Sequence, residues 1–205
     1  MTIAEPLLRS YHASLAAAEK GEMLFSHGDP AEFFFIVRSG RVKMVNYSED
    51  GREFVQGYFT DGQSFGEPPF FSGAPYPASA IAVDRSEIWK IARRDFLRLL
   101  QDHFEVHLAI TRNLGDRLVY KSTMLSELAI EEAEHRLLTL IRYLAERDQE
   151  QERTPVRLSF TRQQLADMTG LRVETVIRSV KSLEHKHLLR IDDDGKILFD
   201  PSHHE

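Results

Sequence analysis

"TRQQLADMTGLRVETVIRSVKSLE", Thr161–Glu184, carries two helices and the turn between them. Thr161 followed by Gln164 fits a capping box, in which each side chain satisfies a backbone amide at a helix start. Leu165 and Met168 share one face of a short first helix. Gly170 ends it, because glycine takes the left-handed conformation of a helix C-terminus without a Cβ penalty. In the second helix Val176, Val180 and Leu183 fall at i, i+4 and i+7 and form one apolar face. Val173, Glu174, Ile177 and Arg178 form another face as two i, i+4 pairs. Two helices joined by a short glycine-containing turn match a helix-turn-helix.

The charge around this segment supports a nucleic-acid partner. The 205 residues have a net charge of −6, which argues against one. Between Arg153 and Arg190 the balance reverses. Eight basic residues (Arg153, Arg157, Arg162, Arg172, Arg178, Lys181, Lys186 and Arg190) meet three acidic ones (Asp167, Glu174 and Glu184), a local net of +5. A solvated face on a small helical domain has the same composition, but a basic island in an acidic chain is what phosphate attraction requires. "RIDDDGKILF" follows as a hairpin with Asp194-Gly195 at its turn. Phosphates would repel its three aspartates, so its tip is expected to point away from a DNA backbone.

Upstream, "EEAEHRLLTLIRYLAER", residues 131–147, predicts a helix with Leu137, Leu138, Ile141 and Leu144 inward. From His103 to Leu128 there is no proline and no turn cluster, so one long helix is expected. Two apolar stripes alternate 3 and 4 residues along it, the spacing of a coiled-coil seam. One runs through Leu108, Thr111, Gly115, Leu118, Ser122, Leu125 and Ala129. The other runs through His107, Thr111, Leu114, Leu118, Lys121, Leu125 and Leu128. "RRDFLRLLQDH" predicts a shorter helix before it. Between Gly21 and Ile91 the strand candidates are "EMLFSH", "FFFIVRSG", "RVKMVNY", "EFVQGYF", "ASAIAV" and "SEIWKI", separated by turn signals. That grammar predicts a sandwich, barrel or jelly roll. Ser39-Gly40 predicts a tight hairpin, and residues 5–19 predict a helix through Leu7, Leu8, Tyr11 and Leu15.

Composition closes several routes. Hydrophobic residues make up 42% and charged residues 28%, ordinary for a globular protein. No apolar run approaches the ~18–20 residues of a membrane span. The N-terminal stretch lacks a basic segment followed by an apolar run, so no signal peptide is expected and the expected location is cytoplasmic. Cysteine is absent. That excludes disulfides, thiol catalysis and cysteine-held iron–sulfur clusters. No nucleophile–base pair or metal cluster recurs, so the chain is not expected to be an enzyme.

The helix-turn-helix stretch resembles the winged helix-turn-helix of the CRP/FNR family of bacterial transcription regulators. "GEMLFSHGDPAEFFFIVRSGRVKM", Gly21–Met44, is similar to the opening of that family's cyclic-nucleotide-binding-type β-roll. The resemblance covers residues 15–200. It implies an α+β chain with a β-roll or jelly-roll sensor domain over 1–102. A dimerisation helix and hinge would occupy 103–130, and a winged helix-turn-helix DNA-binding domain 131–205. It implies a homodimer on palindromic double-stranded DNA, acting with RNA polymerase and away from membranes. The second helix would enter the major groove, with Val173, Glu174, Ile177 and Arg178 at the base-reading positions and Thr161, Arg162, Arg172, Thr175 and Lys181 toward phosphates. Leu108, Thr111, Leu114, Leu118, Ser122 and Leu125 would form the dimer seam. Val173 stands where the cyclic-AMP receptor branch has a base-reading Arg, and Ile177 replaces a small residue.

The implied effector pocket departs further. Phe65, Gly66, Glu67, Tyr76, Ala78 and Ser122 occupy its positions. Gly66 and Glu67 keep the family pattern, in which the Glu binds a ribose hydroxyl. The phosphate-pairing Arg is replaced by "PYPASA", and no Lys or Arg occurs between Arg52 and Arg85. A charge-assisted bond is a large part of phosphate affinity, and prolines 68, 69, 75 and 77 remove four backbone donors. Cyclic AMP is therefore not expected to be the effector. An uncharged or cationic small molecule, a pocket filled by its own side chains, and haem all remain open. His103 and His107, one helical turn apart, could ligate a metal from one face, but such a pair is more often two ordinary surface residues, so no metal site is expected.

Overall fold

The computed structural model describes residues 3–130, 132–147 and 155–201, without the side chains of residues 128–130. Arg153, the side chains of Leu128 and Ala129, the junction at residue 131 and the tail 202–205 lie outside the described residues. The chain divides into two compact units, Met1–Asp116 and Arg117–Glu205.

The first unit contains α1 (Glu5–Ser10), β1 (Ser14–Ala18), β2 (Met23–Phe25), β3 (Phe33–Ser39), β4 (Val42–Tyr47), β5 (Glu53–Phe59), β6 (Ser64–Phe65), α2 (Glu67–Ser72), β7 (Ser79–Ala82), β8 (Ser86–Ala92), α3 (Arg93–Asp102) and the start of α4 (Phe104–Ile130). Its strands form two antiparallel four-stranded sheets, ordered β1-β8-β3-β6 and β2-β7-β4-β5. Their inner faces enclose a core rich in aromatic rings. Phe34 stacks on Phe96 of α3 with centroids 3.7 Å apart, and both are fully buried.

Two local expectations are corrected here. The helix predicted over 5–19 stops at Ser10, and Ser14–Ala18 is a strand paired with β8. "SLAAA" has good helix propensity. His12 at φ 58 breaks the helix, and the open edge of β8 offers hydrogen-bond partners that outweigh propensity. The Ser39-Gly40 turn is not a hairpin either, because β3 and β4 belong to different sheets. Gly40 (φ 93) turns the chain from one sheet to the other. A Cβ there would lie 2.4 Å from Ser86 Oγ and 2.8 Å from the Arg85 carbonyl, so only glycine fits the corner.

The second unit contains the rest of α4, α5 (Ala133–Arg147), β9 (Val156–Leu158), α6 (Arg162–Thr169), α7 (Val173–His185), β10 (Arg190–Ile191) and β11 (Ile197–Phe199). The strands form one sheet ordered β10-β11-β9. Leu137, Leu140, Ile141, Leu165, Val176, Val180, Leu183 and Phe199 are buried. Two side-chain clamps join α4 to α5. Tyr120 stacks on Tyr143 at 3.4 Å, and the Glu127 carboxylate accepts from Thr139 Oγ1 at 3.2 Å and lies 3.2 Å from His135 Nε2.

The capping box at α6 is complete. Thr161 Oγ1 accepts from the Gln164 amide at 3.1 Å, and Gln164 Oε1 accepts from the Thr161 amide at 2.9 Å. Thr161→Ala is expected to weaken this start by about 1 kcal/mol. Amide hydrogen exchange in the first turn of α6 should accelerate about fivefold, and unchanged exchange would refute the capping role.

Candidate DNA-reading helix and effector pocket

Helix α7 buries Val176, Val180 and Leu183 and turns the opposite side outward. Glu174, Ile177, Arg178 and Lys181 are all exposed and lie at i, i+3, i+4 and i+7, one continuous face. Ile177 is 41% exposed, high for a branched aliphatic chain. Val173 and Thr175 are half-buried at the helix start. Arg172 occupies the N-cap, makes no side-chain cap, and is exposed. Its guanidinium is thus available near amides that favour anions.

The remaining basic residues are used differently. Arg162 is partly buried and donates from Nη2 to the Gly195 carbonyl at 3.2 Å, tying the start of α6 to the wing turn. Arg157 donates to Asp192 at 2.6 Å and to Asp194 at 2.7 Å. Its hydrogen bond holds the Asp192 carboxyl below the usual carboxylate range. The wing was expected to present three repelling aspartates; Arg157 compensates two of them. Lys186 pairs with Glu134 of α5 and pulls that carboxyl below its ordinary range. Among the described residues, the basic side chains of the island with neither an ion pair nor a hydrogen bond are Arg172, Arg178, Lys181 and Arg190. The first three lie on or beside the outward face of α7.

The pocket residues of the first unit come together as a packed interior. Phe65 and Ala78 are fully buried, Tyr76 is 2% exposed and Glu67 1%. The Tyr76 ring stacks on Phe25 at 3.7 Å and 13°. Its hydroxyl donates to the Phe33 carbonyl at 3.1 Å. Burial pushes the Tyr76 phenol up to about 12, so it stays a neutral donor. Gly66 takes φ 78, and a Cβ there would meet Tyr76 Cε1 at 3.1 Å. Glu67 begins α2 and accepts from the Ser64 hydroxyl. Ser64 Oγ in turn accepts from Asn113 Nδ2 on α4 at 3.5 Å. Ser122 is an exposed residue of the second unit.

Residues 16–103 match a family model described as the cyclic nucleotide-binding domain, and residues 135–202 match one described as the Crp-like helix-turn-helix domain. The chain belongs to the CRP/FNR family of transcription regulators. CRP/FNR relatives include a CRP-like cAMP-activated global transcriptional regulator of Mycobacterium tuberculosis, 25% identical over 183 residues, covering 88% of this chain and 82% of that protein. Electron transport regulator A of Shewanella oneidensis is 27% identical over 189 residues, covering 91% of this chain and 74% of that one. Both are regulators, not enzymes. Among solved structures, a CooA mutant from Carboxydothermus hydrogenoformans superposes with a TM-score of 0.76 at 18% identity, over 99% of this chain and 90% of that one. FixK2 from Bradyrhizobium japonicum reaches 0.75 at 20%, over 93% and 94%. These two matches establish the CRP/FNR fold.

Within that CRP/FNR frame, the seam residues of α4 divide. Leu118 and Leu125 are each 69% exposed. Thr111 and Ser122 are exposed and Leu108 half-buried, while Leu114 packs partly against the core of the first unit. His103 meets Tyr11 edge-on at 5.7 Å, and His107 meets Phe104. Among the described residues no group of three or more metal-ligating side chains gathers around either, and no helix is long and apolar enough to cross a membrane. Arg157 and Asn113 were missed as partners of wing and pocket. Each acts on a residue tens of positions away, so spacing carries no signal for them.

Proposed function

We propose that this regulator binds a palindromic operator as a homodimer and answers to a signal other than cyclic AMP, or to none. The observation that carries the effector reading is Tyr76. Its neutral ring is stacked on Phe25 at the position where the family pairs an Arg with phosphate. Tyrosine supplies no positive charge to a phosphate, and the surrounding loop has none to lend. Relatives named for cyclic AMP activation share the fold, and Tyr76 supports a different signal in this chain.

On the DNA side, Arg178 suits a bidentate bond to guanine O6 and N7, and Glu174 suits acceptance from a cytosine amino group. Val173 and Ile177 supply apolar contact between them. Thr161, Arg172, Thr175 and Lys181 suit phosphate contacts, whereas Arg162 would first release the Gly195 carbonyl. Two exposed leucines on α4 support pairing with a second copy, which would set two reading helices about one DNA turn apart. Any effector would act by favouring one arrangement of that pair, and RNA polymerase is the partner such a regulator would address.

Calorimetric titration with cyclic AMP tests the effector reading. No saturable heat is expected up to millimolar nucleotide, and operator affinity should be the same with and without it. Binding in the micromolar range would overturn the role given to Tyr76.

A further inference from the structure

The first unit has an open cleft of about 540 Å³ on the outer side of the loop that carries Tyr76. The β2–β3 connection supplies Gly28, Pro30, Ala31 and Glu32, the segment after α2 supplies Pro75, and α3 supplies Arg93. The frame is well tied. Pro30 and Pro75 form a β-bridge, the Gly28 amide donates to the Tyr76 carbonyl at 2.8 Å, and the Tyr76 amide donates to the Asp29 carbonyl at 2.9 Å. On the far side the Arg93 amide donates to the Glu32 carbonyl at 2.8 Å.

The cleft presents two opposite charges that do not neutralise each other. The Arg93 guanidinium lies over the Phe70 ring, 5.4 Å from its centroid. Among the described residues it has no ion pair and no side-chain hydrogen bond. A cation–π contact at this distance holds the guanidinium near the ring, and a guanidinium without an ion pair suits bidentate recognition of a carboxylate. Glu32 lines the same cleft with an exposed carboxylate that likewise has no partner among the described residues. Apolar walls from proline and alanine, with one cation and one anion, match the usual make-up of a small-molecule site, and the volume is in the usual range.

We infer that this cleft binds a small zwitterion of the α-amino-acid class, its carboxylate on Arg93 and its ammonium on Glu32. Occupancy would press on the Pro75–Tyr76 segment and so reach the packed pocket from outside. The cleft is built from residues of the first unit and the proposed DNA contacts from residues of the second, and the binding test needs no DNA, so its failure leaves the regulator reading untouched.

The test uses the full chain, ¹⁵N-labelled, titrated with each of the twenty proteinogenic amino acids to millimolar concentration. Saturable amide shifts at Gly28, Gly73 and Ala74 are expected for at least one of them. Arg93→Gln and Glu32→Gln should each raise its dissociation constant about tenfold or more while leaving the rest of the spectrum in place, because a bond to a charged group is lost. The matching amine and the matching carboxylate, each lacking the other charge, should bind no better than those variants do. Absence of saturable shifts for all twenty would overturn the proposal. So would shifts that persist in both variants, or equal binding by a singly charged analogue.

Discussion

Replacing Leu118 and Leu125 together by Glu is expected to make the protein monomeric and to lower its affinity for a palindromic operator by about a hundredfold or more. Both side chains are 69% exposed and lie two turns apart on α4, so the substitutions create no buried charge within the protomer. In a pair of α4 helices, however, they would place like charges face to face where apolar contact is required. The second half-site binds tightly because the first has already brought it near, and a monomer loses that gain. Sedimentation should show half the wild-type mass, while binding to a single half-site stays close to normal. A variant that remains dimeric and fully active would remove the α4 stripe from the interface.

Arg178→Ala is expected to weaken operator binding by about tenfold to a hundredfold and to erase preference at one G·C pair in each half-site. Arg178 is exposed beside Ile177 and Glu174 on α7 and has no competing partner among the described residues. Lys181→Ala gives the contrast. It should weaken all sequences alike and reduce the salt dependence by about one counterion. If base preference survives Arg178→Ala unchanged, the base-reading assignment fails.

How much of this was legible in the residues depends on the range of each interaction. The α6–α7 pair could be read almost entirely, because a capping box, a glycine C-cap and a seven-residue apolar repeat all act within two turns. The strands from Phe33 onward were legible for the same reason. Ser14–Ala18 was not, since its conformation is settled by β8, seventy-odd positions away. Gly40 read as a turn between the strands it does join, but that those strands pair with others and not with each other is settled by β8 and β7 from elsewhere in the unit. Helical spacing placed Glu174, Ile177 and Arg178 on one exposed face of α7, while Val173, grouped with them, is half-buried at the helix start. The charge balance of the wing was not legible, because Arg157 meets Asp192 and Asp194 only across the folded sheet. Tyr76 was visible as a missing charge; that its ring would stack on Phe25 required the folded loop.

The pairing of β1 with β8 bears on how the chain is made. The first strand of the unit to be synthesised is held by the last strand of that unit. At about 5–20 residues per second, several seconds separate the emergence of Ala18 from that of Ala92. Throughout that interval the apolar face of the nascent β-rich segment has no closed partner sheet. The N-terminal unit is therefore expected to be a holdase client during synthesis, released only when β8 arrives.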